Sequence, residues 1–235
     1  RTAWLRSLAD LEPDLVVNTG DNISHPGAIP VLVNALQPLL AVPGVFVFGS
    51  NDYYAPRFKN PFTYLKKDDG TRKLGAKLPT EELDRELSHR GWMNLNNRKG
   101  VISINGTSID VRGTDDAHLE LDDYSKVAGS PQGDISFGVT HAPYARVLDG
   151  MKRDGVDLIF AGHTHGGQVC WPFSGRALVT NCDLPAKYAR GAHQLERAGK
   201  SFWLNVCAGL GNSIFAPVRL ACRPEVRVIT LVAKN

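Results

Sequence analysis

Four stretches of this 235-residue chain end an apolar run in side chains able to bind a metal ion or move a proton. They read LVVNT then Gly20-Asp21-Asn22, FVF then Gly49-Ser50-Asn51-Asp52, FGVT then His141, and LIFA then Gly162-His163-Thr164-His165-Gly166-Gly167. A single His after a strand is more often a hydrogen-bonded structural residue than a ligand, and Ser-Asn-Asp taken alone is an ordinary turn. Here three histidines, an Asp and an Asn share one strand-end position, which makes coincidence the weaker reading. In open α/β sheets the carboxyl ends of the strands face a common crevice, so residues far apart in sequence can converge there. His, Asp and Asn without Cys form a mixed nitrogen and oxygen donor set suited to divalent manganese, iron or zinc. Two such ions about 3.5 to 4 Å apart can deprotonate a water, orient a phosphate and neutralise charge on its oxygens. That chemistry needs no Ser or Cys nucleophile, and no triad spacing is evident.

The elements that must position these residues alternate between helix and strand. Trp4, Leu5, Leu8 and Leu11 fall at helical spacing and Pro13 closes the pattern, which predicts a helix over 1 to 11 feeding a strand at 14 to 19. A helical stretch from Gly27 to Ala41 leads to the strand ending at Phe48. Thr80 is read as the cap of a short helix, TEELDRELSHR, and Asn105-Gly106 as the turn of a hairpin inside VISINGTSIDVRG. The alternation resumes with a strand to Thr140, a helix through Arg153 and a strand to Ala161. Further strands are expected near 176 to 180, 202 to 207 and 226 to 232, with antiparallel pairing at that side. Helices alternating with continuously apolar strands describe an α/β sheet covered on its faces.

Composition sets limits. The length suits one well-buried domain over 1 to 235, and no shift in composition marks a second. Net charge is only +3, too mild to argue nucleic-acid binding. Between Pro56 and Leu78 seven Lys and Arg stand against two Asp, a basic insertion read as a solvated loop and a candidate lid. It can also steer an anionic substrate, and its Phe58, Phe62, Tyr64 and Leu65 would suit a lipid portion. Cys170, Cys182, Cys207 and Cys222 lack C-x-x-C spacing and are read as buried free thiols of a reducing compartment. No run of about 18 apolar residues is present. The expected location is cytoplasmic or peripheral to the membrane, with an anchor or export signal upstream of Arg1 left open. Oligomeric state is unreadable.

With the strand ends placed, G-D-N-I at 20 to 23, T-H-A-P at 140 to 143 and G-H-T-H-G-G-Q at 162 to 168 resemble, in that order, the calcineurin-like metallophosphoesterases. The likeness runs through nearly the whole chain. ALVTN at 177 to 181, YARG at 188 to 191 and GLGNS at 209 to 213 are similar to the bacterial branch of YkuE and YaeI type. The resemblance implies a four-layer α-β-β-α sandwich with two mixed sheets and a two-metal site at the strand ends. It makes Asp21 the bridging carboxylate, His141 and His163 ligands of the second metal, and His165 a ligand of the first. Manganese, iron, zinc and magnesium all remain eligible. The family's earlier D-x-H pair does not precede Asp21, so the expectation is that it lies upstream of Arg1 and that without it the first metal is weakly held or absent.

The implied reaction is hydrolysis of a phosphate ester by a metal-bridging hydroxide, with a phosphodiester favoured and a lipid-linked substrate left open. Where the family reads G-N-H-D or G-N-H-E, this chain has Gly49-Ser50-Asn51-Asp52. Aligned without a gap, Ser50 takes the ligand position and Asn51 the acid position; shifted by one residue, Asn51 is the ligand with Asp52 beside it. Asn51 is favoured on chemical grounds, since a hydroxyl is a poorer ligand and an amide is no acid near neutral pH. Leaving-group protonation would then fall to water, to Asp52 or to a histidine of another loop. Asn22, Ser50 and His25 are the substrate-side candidates, while Asp115-Asp116 and the following His118, a group that could also suggest metal, are read first as a solvated loop, with a substrate-side role for His118 left open. The rival reading is a non-catalytic binding or scaffold protein of the same fold.

Overall fold

The computed structural model describes residues 2–57, 74–197, 200–212 and 217–232. Among these, the strands form two sheets. The smaller is β1 (Val16–Asn18), β2 (Gly44–Phe46) and β3 (Trp92–Asn94), all parallel. The larger takes the order β4-β5-β6-β7-β9-β8, from β4 (Arg98–Ile104), β5 (Thr107–Gly113), β6 (Ile135–Thr140), β7 (Leu158–Ala161), β8 (Gly191–Arg197) and β9 (Lys200–Val206). β5, β6, β7 and β9 run parallel, and β4 and β8 close the edges antiparallel. The two expected sheets are present; among the described residues the larger is mixed and the smaller wholly parallel. The smaller sheet is parallel because helices return the chain to the same end between its strands.

Alternation along the strands builds the layers. Val45 and Val47 pack with Leu95, Val111, Phe137 and Val139 between the sheets. Phe46 and Phe48 point the other way, to a core shared with α2 (Ile29–Leu36) and α4 (Thr80–Ser88), against which α1 (Thr2–Ser7) also packs. On the far side, Ile159, Ala161, Leu204 and Val206 meet Val147, Leu148 and Met151 of α5 (Ala145–Asp154). Helix, sheet, sheet and helix thus stack in four layers, and the carboxyl ends of β1, β2, β5, β6, β7 and β9 open on one cleft.

Asn105 and Gly106 take φ of +50° and +82° and join β4 to β5, as the Asn-Gly signal requires. Thr80 is not the cap of α4: its hydroxyl donates to the Asp52 carbonyl at 2.7 Å, tying α4 to the short helix α3 (Ser50–Tyr53). Residues 176 to 180 form no strand, because there the backbone is spent on a turn and an isolated bridge from Cys170 to Ala177. Residues 226 to 232 pair in no ladder, although Ile229 packs on the inter-sheet core. The sequence reading missed β3 and β8. All four cysteines are unpaired; Cys170 and Cys222 are buried, and Cys182 and Cys207 half-buried. Most of the basic insertion, including the aromatics from Phe58 to Tyr64, lies outside the described residues. Its two ends are joined by the Ala55 N–H donating to the Ala76 carbonyl and by a bridge between Tyr54 and Lys77. No helix among the described residues is long and apolar enough to cross a membrane.

Candidate functional site

Each strand end delivers one piece of the site. After β1 the chain turns sharply through Gly20 and Asp21, with φ of +91° and +58°. A Cβ on Gly20 would lie 2.5 Å from the Gly49 nitrogen, so the first and second strand ends touch backbone to backbone. Asp52 fixes that contact from beneath. Its carboxylate accepts the backbone N–H groups of Asp21, Asn22, Ile23 and Gly49, together with the Asn22 amide, at 2.7 to 3.3 Å. Burial, and then the charge of Asp21, push its pKa up to about 7. Asp52 is fully buried and does not line the cleft.

Asn51 does reach the cleft. Its backbone N–H donates to Asp21 Oδ1 at 2.9 Å and its amide to Oδ2 at 2.7 Å. Ser50, at the start of α3, lines the cleft beside it. Asn22 also lines it, with its amide oxygen accepting from Asn18 at 2.7 Å. His25 stands apart, exposed, its Nδ1 accepting from the Gly27 N–H to cap the turn at Pro26–Ala28.

The histidines converge on Asp21. His141, 1 % exposed, holds the Thr19 carbonyl with Nδ1 at 2.7 Å and points Nε2 to within 3.5 Å of Asp21 Oδ1. His163 anchors Nε2 on the Asn181 carbonyl at 3.1 Å and brings Nδ1 to 3.2 Å from His141 Nε2. His163 and His165 take φ of +64° and +50°, a conformation that costs non-glycine residues about 1 to 3 kcal/mol each and gathers at functional sites. Burial opposes the charged form of His141, but Asp21, Asp116 and the Thr19 carbonyl outweigh it and raise its pKa. Burial, with His118 and His141 nearby, drives that of His163 well below the ordinary value. Burial would raise the Asp21 pKa, yet His141 and the Asn51 hydrogen bonds hold it low.

Among the described residues no three His, Cys, Asp or Glu side chains stand ready as a closed metal cage; the two imidazoles have settled on each other. Three observations nevertheless fit divalent ions. His165 Nδ1 is buried with no hydrogen-bond partner. His141 and His163 each fasten their outer nitrogen to a main-chain carbonyl, the usual way a ligating imidazole is oriented. Two nitrogens each about 2.1 Å from one ion stand about 3.0 to 3.4 Å apart for angles from square to tetrahedral, and the spacing here is 3.2 Å.

Two residues of the β5 strand end were misread. Asp116 is fully buried, and His118 is 7 % exposed rather than solvated, its ring centroid 4.6 Å from that of His163. Its Nδ1 pairs with the Tyr144 hydroxyl at 3.0 Å. The strand-end pattern did not single them out, since β5 alternates apolar residues with Asp110 and Arg112 and lacks the continuous apolar run that precedes the other site loops. Arg219 was missed as well. It donates to the carbonyls of His165, Ala208, Gly209 and Gly211 and so clamps the histidine loop to the loop after β9.

Residues 1–167 match the family described as calcineurin-like phosphoesterase. The chain is 28 % identical over 221 residues to the uncharacterized metallophosphoesterase YkoQ of Bacillus subtilis (strain 168), covering 92 % of this chain and 72 % of that protein. It is 26 % identical over 236 residues to the uncharacterized metallophosphoesterase YkuE of the same strain, covering 97 % of this chain and 71 % of that one. A 5′-nucleotidase precursor from Thermus thermophilus superposes with a TM-score of 0.49 at 13 % identity, over 88 % of this chain and 42 % of the nucleotidase. The chain therefore belongs to the calcineurin-like phosphoesterases, a family of phosphoester hydrolases that generally use a dinuclear divalent metal centre.

Proposed function

We propose that this protein is a metal-dependent phosphodiesterase. The observation that carries the reading is the convergence of His141, His163 and the Asp21 carboxylate, with a partnerless His165 nitrogen buried beside them. Asp21, Asn51, His141, His163 and His165 would hold the divalent ions, which when bound supply a nucleophilic water near neutral pH and offset charge on phosphorus. Their identity, among manganese, iron, zinc and magnesium, is not fixed by this donor set.

The chain's own residues do the rest. Asp52 holds the Asp21 and Gly49 loops in register as an acceptor, with every oxygen engaged, which suits a clamp better than a proton donor. Ser50 and Asn22 line the cleft where they can contact the phosphate. His118, which lines the cleft with its ring held by the Tyr144 hydroxyl, would meet the substrate where the family's strand-end histidine is replaced. A diester needs room for substituents on both sides of phosphorus. The cleft at the strand ends is walled by residues 178–181 from one part of the chain and by 54–57 and Leu74 from another, leaving both sides of the Asp21 and His163 centre lined by separate segments.

The test is hydrolysis of bis(p-nitrophenyl) phosphate by the metal-loaded chain. Turnover is expected, with Asp21→Ala and His163→Ala each lowering it on the order of 1000-fold, about 4 kcal/mol of transition-state stabilisation. Metal binding without hydrolysis of any mono- or diester would replace this reading with the non-catalytic binding protein.

A further inference from the structure

The histidine loop runs straight into a turn whose apolar residues face water. Phe173 is 95 % exposed and Trp171 56 %, with Pro172 exposed between them. The turn is not loose. The Trp171 N–H donates to the Arg176 carbonyl at 2.9 Å, and the Gly175 N–H to the Trp171 carbonyl at 2.8 Å. Cys170 and Ala177, at its base, are buried in a cluster with Ala189, Ala208 and Cys222. A firmly rooted turn thus holds two large aromatics outward, where they forgo the favourable burial of their apolar surface. Leu220, 51 % exposed, is hydrogen-bonded alongside through Gln168 and Cys170, and Val218 is 63 % exposed. Large apolar side chains left exposed on two segments that hydrogen-bond to each other point to an interaction site.

We propose that this turn is a membrane-docking element that seats the cleft on an anionic lipid bilayer. Charge favours that occupant. Residues 166–182 and 217–224 carry Arg176, Arg219 and Arg223 and no acid, and Arg176 and Arg223 are exposed. The nearest acids in sequence are occupied, Asp183 accepting from the Ala145 N–H and Glu225 from the Ala208 N–H. Trp beside Arg on a convex tip suits the headgroup boundary, where the aromatic ring sinks and the guanidinium meets lipid phosphate. Leu178, two residues beyond Arg176, lines the cleft. The substrate class that follows is a phosphate ester with a lipid portion, presented from the bilayer; this extension rests on the phosphodiesterase reading, whereas the docking does not.

Sedimentation with vesicles of phosphatidylglycerol and phosphatidylcholine, against phosphatidylcholine alone, tests it. The chain is expected to bind the anionic vesicles, more weakly in about 0.5 M salt. Trp171→Ser/Phe173→Ser should weaken partitioning on the order of 100-fold while leaving turnover of the soluble diester unchanged. Phe173→Ser alone serves should the double variant fail to fold. No sedimentation by the parent chain, or equal sedimentation by the variant, overturns the proposal. So does a vesicle-free dimer abolished by the double variant, which would make a second copy the occupant. Loss of diester turnover with vesicle binding intact would strike the enzymatic reading and leave the docking surface standing.

Discussion

Gly49→Ala separates the site geometry from the stability of the fold. Gly49 has φ −113° and ψ 176°, extended backbone that alanine adopts freely, so conformation alone would favour the variant by roughly 0.4 to 1 kcal/mol. The obstacle is space. An added Cβ would lie 2.5 Å from His141 Cε1 and 2.6 Å from Nδ1, and it would also strike Asp21 Oδ1. Comfortable carbon contacts begin at about 3.5 Å, so His141 or Asp21 must retreat by about 1 Å. His141 has little freedom to do so, being 1 % exposed and bonded to the Thr19 carbonyl at 2.7 Å. Lengthening that bond by about 1 Å takes it beyond hydrogen-bonding range and strands two buried polar groups. The expected loss of stability is about 1 to 3 kcal/mol, in the range of other overpacked cores. The expected loss of metal affinity is larger. Removing a partner that merely orients a ligand costs about 10- to 100-fold, and here the ligands themselves move, so at least about 100-fold is expected. Calorimetric titration with Mn²⁺ and a urea melt read the two effects separately. Gly211→Ala is the control, since an added Cβ there meets nothing within 4 Å; it should leave Mn²⁺ affinity unchanged and raise stability by no more than about 1 kcal/mol. Gly49→Ala binding Mn²⁺ as tightly as the parent would refute the convergence of Asp21 and His141 on which the site rests.

The legible parts of this fold were those whose signal is local. β6 and β7 announce themselves as apolar runs, and Asn105-Gly106 specifies its own turn. β8 left no such mark because it is an edge strand of polar and half-exposed residues that exists through pairing with β9. The reverse error, at 176 to 180, came from β-branched residues whose backbone is spent elsewhere. His163 and His165 could be found because glycines flank them at a strand end. His118 could not, since its burial depends on how the loop from 114 to 133 folds back. That loop is held by Arg112, a charge that sequence alone assigns to the surface. Asp52 follows Asn51 directly, yet successive helical residues diverge by about 100°. Asn51 consequently meets the Asp21 carboxylate while Asp52 lies beneath the backbone.

Arg112 is fully buried, bonded to Asp110 and to the carbonyls of Val127 and Gly129. Arg112→Ala is therefore expected to cost about 3 to 5 kcal/mol in a urea melt, because it strands the buried Asp110 carboxylate; a loss under about 1 kcal/mol would make the pair dispensable. Asp116 gives the opposite sign. Its Oδ1 accepts the His118 N–H at 2.9 Å, but Oδ2 is buried with no partner, and burial pushes its pKa up to about 6 from 3.8. Between those values the unfolded chain has released a proton that the folded chain keeps, so this group makes stability fall as pH rises from about 4 to 6. The full effect above that window is on the order of 3 kcal/mol, the two-unit shift at about 1.36 kcal/mol per unit. Asp116→Asn can keep an acceptor for the His118 N–H and removes the ionisable proton. Melts of the metal-free variant should accordingly match the parent at about pH 4 and exceed it at about pH 7. If the variant is instead weaker at neutral pH, the Asp116 charge is welcome where it sits, and a positive partner, such as His141 in its protonated form, must be holding it there.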